Sequence, residues 1–347
     1  RRVDCQGVSK ERVGMKILVT GATGFTGGYL ARRLASLGHE VRALIRSESD
    51  AANLLENGIE PVVGQLSSRQ DVLGAARECE QIYHLAAVFR TAGHHDKHYM
   101  DINVGGTLNV IAAARAHGCS RLIHCSTGGV HGHVANPPAN EDYRYGADDI
   151  YQRSKLAAEQ EIQAASASGM PTVIVRPGAI YGEGDERFLK LFRAIQRGVF
   201  VMVGPGTTRL HLVHVDDLVD GFVLCGSEPE AVGKIFLLGG PEAPTLWEIV
   251  RMAAGLMGVP VPRWSVPVWP VYLAGALCEL ACRPLGIDPP LHRRRVGFFT
   301  HHREFDITRA RKILGYQPLV LARDGIGRTL DWYVGQGLLE PFSETRQ

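Results

Sequence analysis

The chain is predicted to form a doubly wound α/β fold, a parallel sheet with helices on both faces and a smaller mixed α/β lobe for substrate at its C-terminal end. Three observations predict this. Short apolar runs alternate with longer helical patterns, an early apolar run passes straight into a glycine-rich turn and a helix, and the alternation loosens after about residue 180, where Pro, Gly and Trp become frequent. Alternation of this kind marks βαβ units, whose right-handed crossovers bury both faces of a parallel sheet.

Candidate strands are Lys16 to Val19, Val41 to Ile45, Pro61 to Val63, Gln81 to Leu85, Arg121 to Cys125 and Thr172 to Val175. Helical segments between them end at Gly38, Gly58, Gly118 and Gly169, residues suited to the left-handed position that closes a helix. In such a sheet the ligand crevice lies at the carboxyl ends of the strands.

The glycine-rich run Thr20-Gly21-Ala22-Thr23-Gly24-Phe25-Thr26-Gly27 follows Ile17-Leu18-Val19 and opens an amphipathic helix over Tyr29 to Leu37. Unpaired N–H groups and the positive end of the dipole at a helix start make a seat for a pyrophosphate. A dinucleotide-binding unit is therefore expected over 15–180, with returning segments around 209–238 and the substrate lobe over 181–347. Residues 1–14 are polar and are read as a leader or tag, expected to be disordered, before a natural start at Met15.

At 347 residues, 45% hydrophobic and 21% charged, the chain has material for a sizeable core. A net charge of +2, with Arg293-Arg294-Arg295 the only basic triplet, argues against nucleic acid as a partner. Seven scattered cysteines without Cys-x-x-Cys spacing suggest neither a disulfide framework nor zinc, and point to a reducing, cytoplasmic setting. His94, His95 and His98, His131 and His133, and His301 and His302 lack companion ligands at metal spacing, so no metal is expected and they are read as loop or pocket histidines. Trp264 to Cys282 is the most apolar stretch, but Pro267, Pro270 and Glu279 interrupt it and it is short for a transmembrane span. It reads as an apolar lid over the substrate, with peripheral membrane contact as the alternative.

The chemistry is expected in Tyr151-Gln152-Arg153-Ser154-Lys155. Asp148 and Asp149 can cap a helix running to Ala165, which places Tyr151 and Lys155 four residues apart on one face. An ammonium beside a phenol favours the phenolate, so this tyrosine suits proton transfer at a substrate oxygen. A third piece, His124-Cys125-Ser126-Thr127-Gly128-Gly129-Val130-His131-Gly132, ends the fifth strand and offers small hydroxyls to the same oxygen.

Together these motifs resemble the extended short-chain dehydrogenase/reductase family, a Rossmann fold, and the resemblance spans almost the whole chain. It implies that Tyr151 is the acid/base, Lys155 its partner and a ribose ligand, and Thr127 the hydroxyl partner, with Ser126 as the alternative. The implied cofactor residues are Gly21, Thr23, Gly24, Phe25, Thr26 and Gly27 in the turn, with Tyr151 and Lys155. Arg46, Gln65, Leu66, Leu85, Ala86, Ala87, Asn103, Cys125, Pro177, Gly178 and Ile180 complete the set. Arg46 stands after the second strand where NAD sites usually carry an acidic residue, which favours NADP over NAD.

Two stretches are similar to the 3β-hydroxysteroid and sterol-4-carboxylate 3-dehydrogenases. They are Tyr181-Gly182-Glu183-Gly184-Asp185 with Phe188-Leu189, and Pro289-Pro290 through Phe305-Asp306 to Gln317-Pro318. The resemblance implies hydride transfer between nicotinamide and a secondary alcohol of a large apolar, sterol-like molecule. The alternative is a nucleotide-sugar epimerase or dehydratase, although Leu210 and His211 stand where such enzymes carry an arginine and an acid; Arg209 is adjacent. A cofactor-binding regulator without turnover is the third class. The resemblance also implies a homodimer through Tyr99 to His117 and Tyr151 to Ala167.

Overall fold

A computed structural model of the protein describes residues 14–89, 95–282 and 293–342. Residues 1–13, His94 and Pro289-Pro290 lie outside them. The first half alternates as expected: β1 (Lys16–Thr20), α1 (Phe25–Ser36), β2 (Glu40–Ile45), α2 (Ala51–Glu56), β3 (Glu60–Val63), α3 (Arg69–Ala75), β4 (Gln81–His84), α4 (Asp96–Met100), α5 (Gly106–Ala116), β5 (Arg121–Cys125), α6 (Ile150–Ala167) and β6 (Thr172–Pro177). Then come β7 (Ala179–Tyr181), α7 (Leu189–Gln196), β8 (Met202–Val203), β9 (Leu212–His214), α8 (Val215–Ser227), β10 (Ile235–Leu238), α9 (Leu246–Met257), β11 (Ser265–Val266), α10 (Val268–Cys282), α11 (Arg293–Thr300), α12 (Thr308–Leu314) and α13 (Ala322–Gly335).

Seven strands make one parallel sheet in the order β10-β6-β5-β4-β1-β2-β3. The order reverses between β1 and β4, and the crevice above that switch point is where this architecture takes a ligand. Alternate residues of each strand point to opposite faces, so Ile17 and Val19 join one helix layer and Leu18 the other, all three fully buried. Gly38, Gly58, Gly118 and Gly169 all take positive φ where the preceding helices end. The seventh strand, β10, brings residues after 230 back beside β6; its Ile-Phe-Leu-Leu run sits between Gly233 and Gly239, a punctuation legible in the sequence.

Two differences from expectation bear on the site. The first helix begins at Phe25, inside the glycine run, because the helix start itself forms the turn. The helix expected from Tyr99 to His117 is interrupted by a π-turn over Asp101–Gly105, which carries Asn103. The second lobe has its own core, built from Phe192, Ile195, Met202, Ile249, Leu330 and Tyr333 among others. Ile307, Ala310, Leu314 and Tyr316, late in the chain, pack instead into the core of the main sheet. No helix among the described residues is long and apolar enough to cross a membrane.

Candidate active site

A cleft of roughly 1470 Å³ runs from the carboxyl ends of β1, β4 and β5 into the second lobe. Gly21, Gly24, Phe25, Thr26 and Gly27 line one end of it. Gly21 takes φ +82°, and a Cβ there would lie 2.7 Å from the Ala86 nitrogen; one on Gly27 would lie 2.1 Å from the Gly21 carbonyl oxygen. The turn is thus folded tightly on itself and on the segment after β4, and only glycine fits. Gly24 caps α1 without a side-chain hydrogen bond, so no cap side chain covers the first turn of this twelve-residue helix at the cleft wall. That cradle fits the pyrophosphate of a dinucleotide.

Across the cleft stands α6. Asp149 caps it, accepting a hydrogen bond from the Gln152 N–H at 2.8 Å, and this fixes the helix start so that Tyr151 lies in the first turn. Tyr151 lines the cleft, its ring meeting Phe89 edge-on with centroids 4.9 Å apart. Lys155 is buried directly behind the lining, its ammonium donating to the Cys125 carbonyl at 2.5 Å. Burial lowers the lysine pKa, with Cys125 and Glu159 opposing that shift.

The two hydroxyls after β5 differ in what they bond. Thr127 lines the cleft and its Oγ1 accepts from the Gly129 N–H at 3.0 Å, which leaves its own proton to donate to a substrate oxygen. Ser126 also borders the cleft, but it is buried and donates its proton to Glu159 Oε2 at 2.5 Å. Thr127 is therefore the hydroxyl placed to meet substrate, and Ser126 ties the strand end to the scaffold.

That scaffold is ionic. The fully buried Arg176 of β6 donates from Nε to Glu159 Oε2 at 3.1 Å and from Nη2 to Oε1 at 2.5 Å, a bidentate pair. Its remaining donors meet the Glu141 carbonyl, His131 and the Tyr145 hydroxyl. Glu159 lies one helical turn beyond Lys155, so this pair clamps α6 to β6 and to Ser126 at once.

Beneath the site, His84 and His124 sit side by side on β4 and β5, with ring centroids 5.2 Å apart. His84 shares hydrogen bonds with Thr20 and Thr107. Burial, and secondarily the charge of Lys155, pushes His84 down to about 3 and His124 well below the ordinary range. Both stay neutral in the folded protein, whereas in the unfolded chain each gains a proton below about pH 6.5. The unfolded state therefore binds more protons from about 6.5 down to about 3, and stability falls as pH falls through that window. Urea unfolding should show this slope, at most ~1.4 kcal/mol per histidine per pH unit, and His124→Leu should flatten part of it.

Of the other expected cofactor residues, Leu85, Ala87, Cys125, Pro177, Gly178 and Ile180 line the cleft. Ala86 contributes backbone behind them, its N–H on Thr20 Oγ1. Thr23, Arg46 and Gln65 are exposed and outside the lining, while Leu66 packs against Gly106. Asn103 was expected on the cofactor, but its carboxamide is bonded to both backbone groups of Val88 and to Ser154, so it braces the loop after β4 against α6.

The structure adds Phe89 and Arg187, which no motif included, and brings Gln152 and Phe305, quoted within motifs but given no role, to the lining. The Arg187 guanidinium lies 5.7 Å from the ring centres of both Phe25 and Phe89 and bonds Asp185, roofing the cleft where the two lobes meet. Phe89 and Arg187 come from segments with no shared spacing, so sequence carried no signal for their meeting. Glu183, noted only as part of a similar stretch, ties the lobes together by bonding His214, Arg328 and, through its carbonyl, Tyr29. Among the described residues no group of three or more His, Cys, Asp or Glu is arranged to hold a metal ion.

With a dinucleotide cradle at one end of the cleft, Tyr151 and Thr127 on its wall and Lys155 behind them, comparison with known proteins becomes decisive. The model of the NAD dependent epimerase/dehydratase family matches residues 17–239. The chain belongs to this family. Within the NAD dependent epimerase/dehydratase family, it is 31% identical to the 2-alkyl-3-oxoalkanoate reductase of Stenotrophomonas maltophilia, over 90% of this chain and 98% of that protein. It is 28% identical to the 3 beta-hydroxysteroid dehydrogenase/Delta 5-->4-isomerase of Mycobacterium tuberculosis, over 92% and 90%. The crystal structure of gox2253 superposes with a TM-score of 0.81 at 30% identity, covering 94% of this chain and all of that one. The protein is thus an enzyme of an NAD(P)-dependent oxidoreductase and epimerase family with the family's α/β fold.

Proposed function

We propose that the protein transfers a hydride between a nicotinamide cofactor and a secondary alcohol of a large apolar substrate, a 3β-hydroxysterol or a sterol-4-carboxylate. The observation that carries this is the substrate half of the cleft, walled by Phe188, Leu191, Phe200, Val268, Tyr272 and Phe298. Such a wall suits a rigid hydrocarbon body, and Lys190 and Arg303, which also line the cleft, suit a carboxylate carried on it. Arg209, the candidate for a sugar nucleotide's pyrophosphate, lies outside the lining, with its guanidinium on Glu304 at 3.6 Å and on the Ala243 carbonyl. The similar steroid dehydrogenase and 2-alkyl-3-oxoalkanoate reductase support the reading. A sterol-4-carboxylate and a reduced 2-alkyl-3-oxoalkanoate share a carbinol β to a carboxylate on an apolar body.

A bound nicotinamide accepts or supplies the hydride. The residues of the chain handle the oxygen and its proton. In the oxidation direction Thr127 donates a hydrogen bond that orients the carbinol oxygen, and Tyr151 removes its proton. Lys155 fixes positive charge behind the tyrosine while holding the Cys125 carbonyl. Where the substrate carries a carboxylate β to the new ketone, carbon dioxide can leave without further catalytic groups.

Incubation with NAD(P)+ and 3β-hydroxysterols or sterol-4-carboxylates should raise the absorbance of reduced nicotinamide. Silence across these, with turnover of UDP-sugars, would overturn the reading. We further propose NADP as the preferred cofactor, because Arg46 stands exposed directly after β2, where the adenosine ribose is carried in this architecture. Arg46→Asp should weaken NADP affinity by about tenfold or more, as expected for loss of a charged phosphate contact, and spare NAD. A homodimer through α4, α5 and α6 is proposed on the family resemblance and is checked by sedimentation.

A further inference from the structure

Helix α10 is apolar on all sides, yet the protein covers little of it. Gly275 is its one fully buried residue, while Trp269 is 69% exposed, Leu277 58% and Leu280 68%; Trp264, just before it, is 77% exposed. Tyr272 and Leu273 are also open, and Val199, Val201 and Val266 extend the apolar surface across the paired strands β8 and β11. A soluble surface seldom leaves two indoles and several leucines in water together, so the patch implies an occupant.

We propose that α10 with Trp264 docks on an anionic lipid bilayer as a monotopic element and opens the cleft toward the membrane. Three features select lipid over a second copy of the chain. Tryptophan and tyrosine among leucines is the composition that settles at the headgroup boundary, where an apolar ring body and a polar N–H or O–H are both accommodated. The charge is complementary: from Arg263 to Arg295 the sequence has five arginines against Glu279 and Asp288. Three of these arginines open α11, the helix packed against α10. The third feature is continuity with the cleft. Val268 and Tyr272 line it while Trp269 and Leu273, one residue on, lie on the exposed surface, so the same helix joins the cavity to the outside.

A helix of fifteen residues reaches only about 22 Å, short of a bilayer core, so it lies in the interface plane rather than crossing. An apolar substrate dissolved in the membrane would then pass along α10 without entering water. This use of the surface rests on the apolar-substrate reading; the docking itself does not.

The test is co-sedimentation of the full chain, without substrate, with vesicles of phosphatidylcholine alone and of phosphatidylcholine mixed with phosphatidylglycerol. The expected result is binding to the mixed vesicles, weakened by salt, with a blue shift of indole fluorescence. Trp264→Ser with Trp269→Ser should lower partitioning by about tenfold or more. Leu277→Ser, which touches no indole, should weaken binding in the same direction. Both substitutions lie outside the cleft lining, and circular dichroism should stay that of the parent. Absence of binding to either vesicle overturns the proposal, as does binding that the substitutions leave unchanged. Sedimentation showing a dimer that the same substitutions dissociate, with no vesicle binding, assigns the surface to a second copy instead. Vesicle binding with no turnover of any apolar alcohol would leave the docking standing and overturn the substrate reading alone.

Discussion

Tyr151→Phe is expected to lower turnover by about 10²–10⁴ while leaving cofactor affinity nearly unchanged, because it removes only the group proposed to exchange a proton with the substrate oxygen. The ring keeps its edge-on contact with Phe89 and its place in the first turn of α6, so the cleft wall is preserved. The glycine cradle that would hold the pyrophosphate lies on another element and is untouched. Steady-state kinetics and a fluorescence titration with NADPH check both halves. Retained turnover would remove Tyr151 from the mechanism, and a cellular role unaffected by the substitution would point to a cofactor-binding regulator.

Glu159→Ala should cost about 3–5 kcal/mol of stability. Arg176 is fully buried, and without Glu159 its charge would keep only the Glu141 carbonyl, Tyr145 and His131 as partners. Ser126 would lose its acceptor in the same step. Urea unfolding is the measurement, and a loss within ~1 kcal/mol would show that the pair is replaceable. Ser126→Ala separates structure from chemistry: it removes the hydroxyl's tie to Glu159 and leaves Thr127 in place. Turnover should fall far less than in Thr127→Ala, since of the two hydroxyls Ser126 spends its proton on Glu159 and Thr127 does not.

Much of the fold was legible because parallel strands buried on both faces are written as short apolar runs, and helix ends as glycines. Six strands and the closing turns at Gly38, Gly58, Gly118 and Gly169 follow from those two rules. The place of the seventh strand was less visible, since Ile235–Leu238, although punctuated by glycines, joins the sheet beside β6 only after an excursion through the second lobe. The glycine turn and the Tyr151 and Lys155 pair were legible for a related reason. Each lies within a few residues on one element, where spacing alone sets geometry.

Residues whose role depends on distant neighbours were not legible in the same way. Asn103 occupies an expected position, but a π-turn brings it to Val88 and Ser154. Ser126 and Thr127 are adjacent hydroxyls in sequence, and only the buried carboxylate of Glu159, arriving from another helix, separates their tasks. Arg187 and Phe89 meet over the cleft from opposite lobes, a contact no periodicity encodes.

By itself, then, the sequence determined what local spacing and burial can express: the parallel α/β architecture, the tight glycine turn at Gly21 to Gly27 and the shared helical face of Tyr151 and Lys155. Tertiary structure alone decided which hydroxyl keeps a proton for substrate, which ions hold the site together and how the cleft is walled. The reason is physical. Hydrogen bonds and ion pairs between segments far apart in the chain depend on where the fold delivers their partners, and α10 shows the converse, an apolar helix that the fold leaves largely exposed.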